Sequence, residues 1–241
     1  MADEEMVRFE AVRIRTDDLT RTAQRYALLL GCAPEHADAA VVRFALVPGG
    51  IEIMPGTPGV QGLRLSSVNA GGAGAALEAA RRSRFGGIDV VVDPFSSDAR
   101  ALDTATPTAG GFLAIDHVVV NTPDCERAIR LWRDTLGVRL ALDREFPARG
   151  LRMLFFRSAG VTLEMVSPIG GGGAGDDVQH GVAYRVADVA RVRARLLAAG
   201  FDVSPVRDGN KRGTLVATVR NDTEGVPTLL IEAVAADGPR A

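Results

Sequence analysis

Three stretches of this chain follow one plan: a strand, a polar corner, an amphipathic helix and a glycine stop. That repetition constrains the fold more than any other feature. The clearest copy is IDHVVVNTPDCERAIRLWRDTLG, residues 115–137. In it Thr122 reads as the N-cap, Pro123 suits the first helical position and Asp124 favours the positive helix end. Ala128, Ile129, Trp132 and Leu136 fall on one face, and Gly137 can turn left-handed to end the helix. VAYRVADVARVRARLLAAG repeats the plan with Val189, Val192, Leu196 and Leu197 as its face and Gly200 as its stop. FEAVRIRTDDLTRTAQRYALLLG does so again with Leu19, Ala23, Tyr26 and Leu30, ending at Gly31. A fainter copy runs through LRLSSVNAGGAGAALEAARRS, whose glycines each weaken a helix by about 1 kcal/mol relative to alanine.

Short apolar runs follow each clear helix and read as strands. After Gly137 these are VRLALDREF, LRMLFFRS and VTLEMVS; after Gly200 they are FDVSPVR, GTLVATVRN and PTLLIEAV. The repeated unit is therefore β-α-β-β-β, with copies starting near residues 7, 60, 113 and 178. After the second helix only GGIDVVVD is a convincing strand, so that copy reads as truncated. TATPTAGG links the two halves, and GGGGAG joins the last two units without the Lys-Ser/Thr of a phosphate loop.

Composition sets limits on partners. A net charge of −2 leaves no basic footprint for nucleic acid and no polybasic membrane patch. No apolar run approaches the roughly 20 residues of a spanning helix. The N-terminal residues are acidic and lack the apolar region of a signal peptide, so a cytoplasmic protein is expected. Two cysteines, Cys32 and Cys125, make no disulfide framework.

Four residues of the second half carry the candidate chemistry: His117, Glu164, His180 and Glu232, each on a strand-like run. Two imidazoles and two carboxylates suit a divalent metal with nitrogen and oxygen preferences. Strand alternation groups Glu164 with Thr162 and Val166, and Glu232 with Thr228, Leu230 and Val234. His117 shares its face with Val119, and His180 with Val182 and Tyr184. Each glutamate thus falls on the mixed face, as a cavity lining requires. The remaining histidine, His36, reads as a surface loop residue.

IDHVVVNTPDCERAIRLWRDTLG, VQHGVAYRVADV and RNDTEGVPTLLIEAV together resemble the vicinal oxygen chelate superfamily, the glyoxalase and bleomycin-resistance-like proteins. The last segment departs from the family's tight closing turn by two extra residues, Val226 and Pro227. The resemblance implies an α+β fold in which tandem βαβββ modules form two glyoxalase-like domains, with curved, half-open mixed sheets and outer helices. It divides the chain into residues 1–108, a degenerate domain, and 109–241, the metal-bearing one. It also implies that His117 and Glu164 come from one module and His180 and Glu232 from the next. Aligning the halves places Ala11 over His117 and Gly62 over His180, with only Glu52 matching Glu164, so the first domain is expected to be metal-free.

One divalent ion is the expected cofactor, Zn, Ni, Co, Mn or Fe. The set is similar to that of glyoxalase I and methylmalonyl-CoA epimerases, which implies a lyase or isomerase. Its substrate would be a small α-oxygenated carbonyl compound, passing through a metal-stabilised enediolate with Glu164 or Glu232 as general base. Two other readings stay open. One is an Fe(II) extradiol-type dioxygenase, and the other a metal-free binding or resistance protein with Phe146, Phe155, Phe156 and Tyr184 along its cavity. The expected partner is a small-molecule substrate, and the chain is expected to be a monomer or homodimer. Arg149, Arg152, Arg157 and the Lys211-Arg212 pair are candidate holders of a substrate carboxylate or phosphate.

Overall fold

The computed structural model describes residues 7–68, 82–85, 87–94 and 106–234. The helix expected near residues 69–81 lies outside them. The first module comprises β1 (Val7–Thr16), α1 (Leu19–Leu30), β2 (His36–Ala37), β3 (Val42–Ala45) and β4 (Gly50–Pro55). Of the second, β5 (Gly59–Ser67), β6 (Arg82–Phe85) and β7 (Ile88–Asp93) are described. The third runs through β8 (Phe112–Asn121), α2 (Cys125–Ile129), β9 (Arg139–Phe146), β10 (Leu151–Ser158) and β11 (Val161–Pro168). The fourth holds β12 (Val178–Val186), α3 (Val189–Ala198), β13 (Arg207–Asp208), β14 (Thr214–Val219) and β15 (Thr228–Ala233).

The strands form two open mixed sheets, ordered β2-β3-β4-β1-β5-β7-β6 and β13-β14-β15-β12-β8-β11-β10-β9. In the last three modules the first strand pairs in parallel with the last: β5 with β7, β8 with β11 and β12 with β15. The middle strands pair antiparallel. This is the βαβββ unit read from the repeats.

Local chemistry explains where the helices begin. Asp18, Asp124 and Asp188 each cap a helix, accepting hydrogen bonds from the backbone N–H of Arg21, Arg127 and Arg191 at 2.8–2.9 Å. The cap of the third module is therefore Asp124, not Thr122. The Thr122 hydroxyl instead accepts from Asp124 N at 3.2 Å, which shapes the corner ahead of the cap. Asp124→Ala is expected to cost about 1 kcal/mol of stability, read as a lower denaturant midpoint.

Gly31, Gly137 and Gly200 do end their helices with positive φ, 65°, 66° and 84°. The α2 helix continues as a π-helical segment over Arg130–Thr135, with Leu136 N donating to Leu131 O. Two expectations fail here. Leu197 is 41% exposed, so the buried stripe of α3 is Val189, Val192 and Leu196. FDVSPVR gives only a bridge from Val203 to Val219 and the short β13. Pro205, which has no N–H to donate, interrupts it.

Contacts divide the chain into two compact units. One comprises Met1–Arg13, Val60–Asp103 and His117–His180; the other comprises Ile14–Gly59, Thr104–Asp116 and Gly181–Ala241. In the first unit Trp132, Phe156, Leu163, Leu63 and Phe9 line a small apolar void. Phe9 N donates to Ser158 Oγ at 2.9 Å beside it. In the second unit the turn before β15 is held by α1: Arg25 bonds Asp222 at 2.8 Å and the Thr22 hydroxyl donates to Glu224 at 2.8 Å. Asp222 and Glu224 both have positive φ, 56° and 54°, a conformation costly for non-glycine residues that these bonds maintain. Cys125 is buried, and burial pushes its thiol pKa up. His36 is exposed but sits in β2, where it pairs with Asp38 at 3.0 Å.

Candidate metal centre

His117 and Glu164 are placed together by strand pairing. On β8, Val118 and Val120 are fully buried while His117 and Val119 are half-buried on the opposite face. On β11, Leu163 and Met165 are buried while Glu164 and Val166 are half-buried. The parallel register sets Thr162 beside His117 and Glu164 beside Val119. All four residues therefore look out from one face of adjacent strands.

His117 Nδ1 lies 3.9 Å from Glu164 Oε1, and the two side chains are 16% and 20% exposed. That separation is too long for a hydrogen bond. It falls within the span of one cation, since metal–nitrogen and metal–oxygen bonds of about 2.1 Å reach across at most about 4.2 Å. These two donors fit a divalent metal.

The other pair is arranged differently. The aspartate caps fix each module's phase. His117 stands seven residues before Asp124, and the same count from Asp188 gives Gly181, not His180. Glu164 pairs with Val119, five residues before its cap; five before Asp188 is Ala183, which pairs with Leu229. Gly181 and Leu229 thus occupy the places that His117 and Glu164 hold in the third module.

His180, one residue out of phase, is exposed on β12, whereas Val182 and Tyr184 are buried. The three do not share an environment. Glu232 lies three residues beyond Leu229, and its Oε2 accepts from Val189 N at 2.8 Å. It serves the open N-terminus of α3, where the unsatisfied N–H and the helix dipole both favour a carboxylate. The face it shares with Thr228 and Leu230 is buried, not the lining of a cavity. Among the described residues no group of three or more His, Cys, Asp or Glu could hold a metal ion.

In the first module Glu52 is 4% exposed and bonded to Arg43 at 2.7 Å, and Ala11 is buried. At Gly62 any Cβ would collide with the Asp89 carbonyl. Of the four aromatic candidates, Phe156 and Tyr184 belong to the core. Phe155 stands beside Glu164 on the neighbouring β10. Arg152 is engaged by Asp143 and Glu126 at 2.6–2.9 Å, which raises its pKa.

Residues 116–218 match the Glyoxalase/Bleomycin resistance protein/Dioxygenase superfamily. The chain carries a domain of that superfamily. An ethylmalonyl-CoA/methylmalonyl-CoA epimerase of Cereibacter sphaeroides is 29% identical over 99 residues, 37% of this chain and 72% of the relative. A triple mutant of 4-hydroxymandelate synthase from Streptomyces coelicolor superposes with TM-score 0.67 at 14% identity, covering 96% of this chain and 94% of the other. A variant of homoprotocatechuate 2,3-dioxygenase from B. fuscum gives TM-score 0.68 at 14% identity over 94% and 71%. At such identities the two structures speak to the fold, which they share with nearly the whole chain. Among the described residues no helix is long and apolar enough to cross a membrane.

Proposed function

We propose that the chain is a metal-dependent lyase or isomerase acting on a small α-oxygenated carbonyl compound, with His117 and Glu164 as the protein donors. The observation that carries this reading is the 3.9 Å approach of His117 Nδ1 to Glu164 Oε1 on one sheet face. A bound divalent cation supplies Lewis acidity to the substrate carbonyl. Glu164 removes a proton from the carbon beside that carbonyl, holds it, and returns it to complete the isomerisation. Phe155 and Val119 flank Glu164 on the neighbouring strands and give the substrate an apolar wall beside the carboxylate. The similarity to an ethylmalonyl-CoA/methylmalonyl-CoA epimerase supports proton transfer beside a carbonyl as the reaction class. On this reading the domain at 109–241 bears the metal, and the one at 1–108 has no metal role.

Deuterium wash-in at the carbon beside the carbonyl, followed by proton NMR in heavy water with metal-supplemented protein, tests the proposal. α-Hydroxyketones are the first compounds to offer, with methylmalonyl-CoA beside them because of the epimerase relative. Exchange that depends on Glu164 supports it. Catechol-dependent oxygen uptake by iron-loaded protein, without exchange, would replace it with the dioxygenase reading.

A further inference from the structure

The face that carries His117 and Glu164 also carries two opposed arginines. Arg157 on β10 pairs with Thr162 on β11, which itself lies beside His117 on β8. Across the other edge of β10, Arg157 pairs with Arg139 on β9. Directly paired residues of neighbouring strands point to the same face, so one row reads Arg139, Arg157, Thr162, His117. Its companion row, beyond an irregularity in β9, reads Leu142, Phe155, Glu164, Val119.

Like charges set directly opposite each other destabilise a sheet. Arg139 and Arg157 are both exposed. No ion pair or side-chain hydrogen bond to either is found among the described residues, whereas Arg127, Arg133 and Arg152 of the same module each bond a carboxylate. Two unneutralised guanidinium forks at adjacent positions suit a dianionic oxyanion. Strands are about 4.8 Å apart, which puts Arg157 roughly 10 Å and Arg139 roughly 14 Å from His117 along the row.

Resting on the function proposed above, we infer that Arg139 and Arg157 bind a phosphate group at the far end of the substrate, whose carbonyl end lies at His117 and Glu164. The exposed Leu142 and the half-buried Phe155 of the companion row give the intervening carbon chain an apolar floor.

The test is calorimetric titration of the full chain with pyrophosphate, and separately with succinate, for wild type and for Arg157→Gln, Arg139→Gln and Arg212→Gln. Pyrophosphate affinity should fall about tenfold or more in the first two variants, stay within about twofold in the third, and weaken with added salt. Melting temperatures of Arg157→Gln and Arg139→Gln should be unchanged or higher, since a repulsion is relieved; a merely structural pair would lower them. Equal pyrophosphate binding by wild type and Arg157→Gln overturns the inference, as does no binding by wild type. Binding of succinate in place of pyrophosphate overturns the phosphate assignment. Metal titration of the same samples is independent: loss of metal binding with phosphate binding intact would remove the proposed function and leave this site standing.

Discussion

Trp132→Ala is expected to destabilise the chain by about 3–5 kcal/mol, toward the lower end of that range. Trp132 is 2% exposed in the π-helical segment and lines one void with Phe156, Leu163 and Val138. Truncation leaves a cavity within a core that already holds a small void, so the site has little left with which to collapse. One effect works the other way. Among the described residues the Trp132 Nε1 hydrogen has no partner, so its removal relieves an unsatisfied buried donor worth about 1–3 kcal/mol. Circular dichroism is the proper probe in urea, because this is the chain's one tryptophan. Leu197→Ala, on the exposed side of α3, should stay within about 0.5 kcal/mol of wild type. A Trp132→Ala loss below about 1 kcal/mol would mean that this contact does not organise the unit.

The second large effect concerns Glu164. Glu164→Gln removes the proposed base and a charged metal donor together, and should slow deuterium wash-in by about 10²–10⁴-fold. Glu232→Gln provides the contrast. Its carboxylate serves the Val189 N–H at the start of α3, so exchange should persist while stability falls by about 0.3–1 kcal/mol. Equal loss of exchange in both variants would restore Glu232 to the chemistry and contradict the phase argument from the caps.

The repeats were legible because they rest on short-range chemistry. An aspartate cap, an apolar helical stripe and a left-handed glycine leave marks a few residues apart, and they located α1, α2 and α3 and most of the strands. Pairing His117 with Glu164 came from the family resemblance, and alternation added only that Glu164 falls on the mixed face of its strand. His180 and Glu232 misled because strand alternation says which residues share a face and not which face is covered. Burial by a helix is a tertiary fact. The missing signal was nonetheless present: Asp-x-x-Arg begins α1, α2 and α3, and counting seven back from Asp188 reaches Gly181. The opposed pair of Arg139 and Arg157 could not be read at all, because it depends on an irregular antiparallel register between β9 and β10.

The central claim is that the third module alone supplies the protein donors. Co²⁺ titration followed by visible absorption, on wild type, His117→Ala and Glu232→Gln, addresses it most directly. One ion per wild-type chain is expected, with affinity lowered by more than about 100-fold in His117→Ala, since even changes behind the ligands cost about 10–100-fold. Glu232→Gln should match wild type. Binding retained by His117→Ala, or lost in Glu232→Gln, would contradict it.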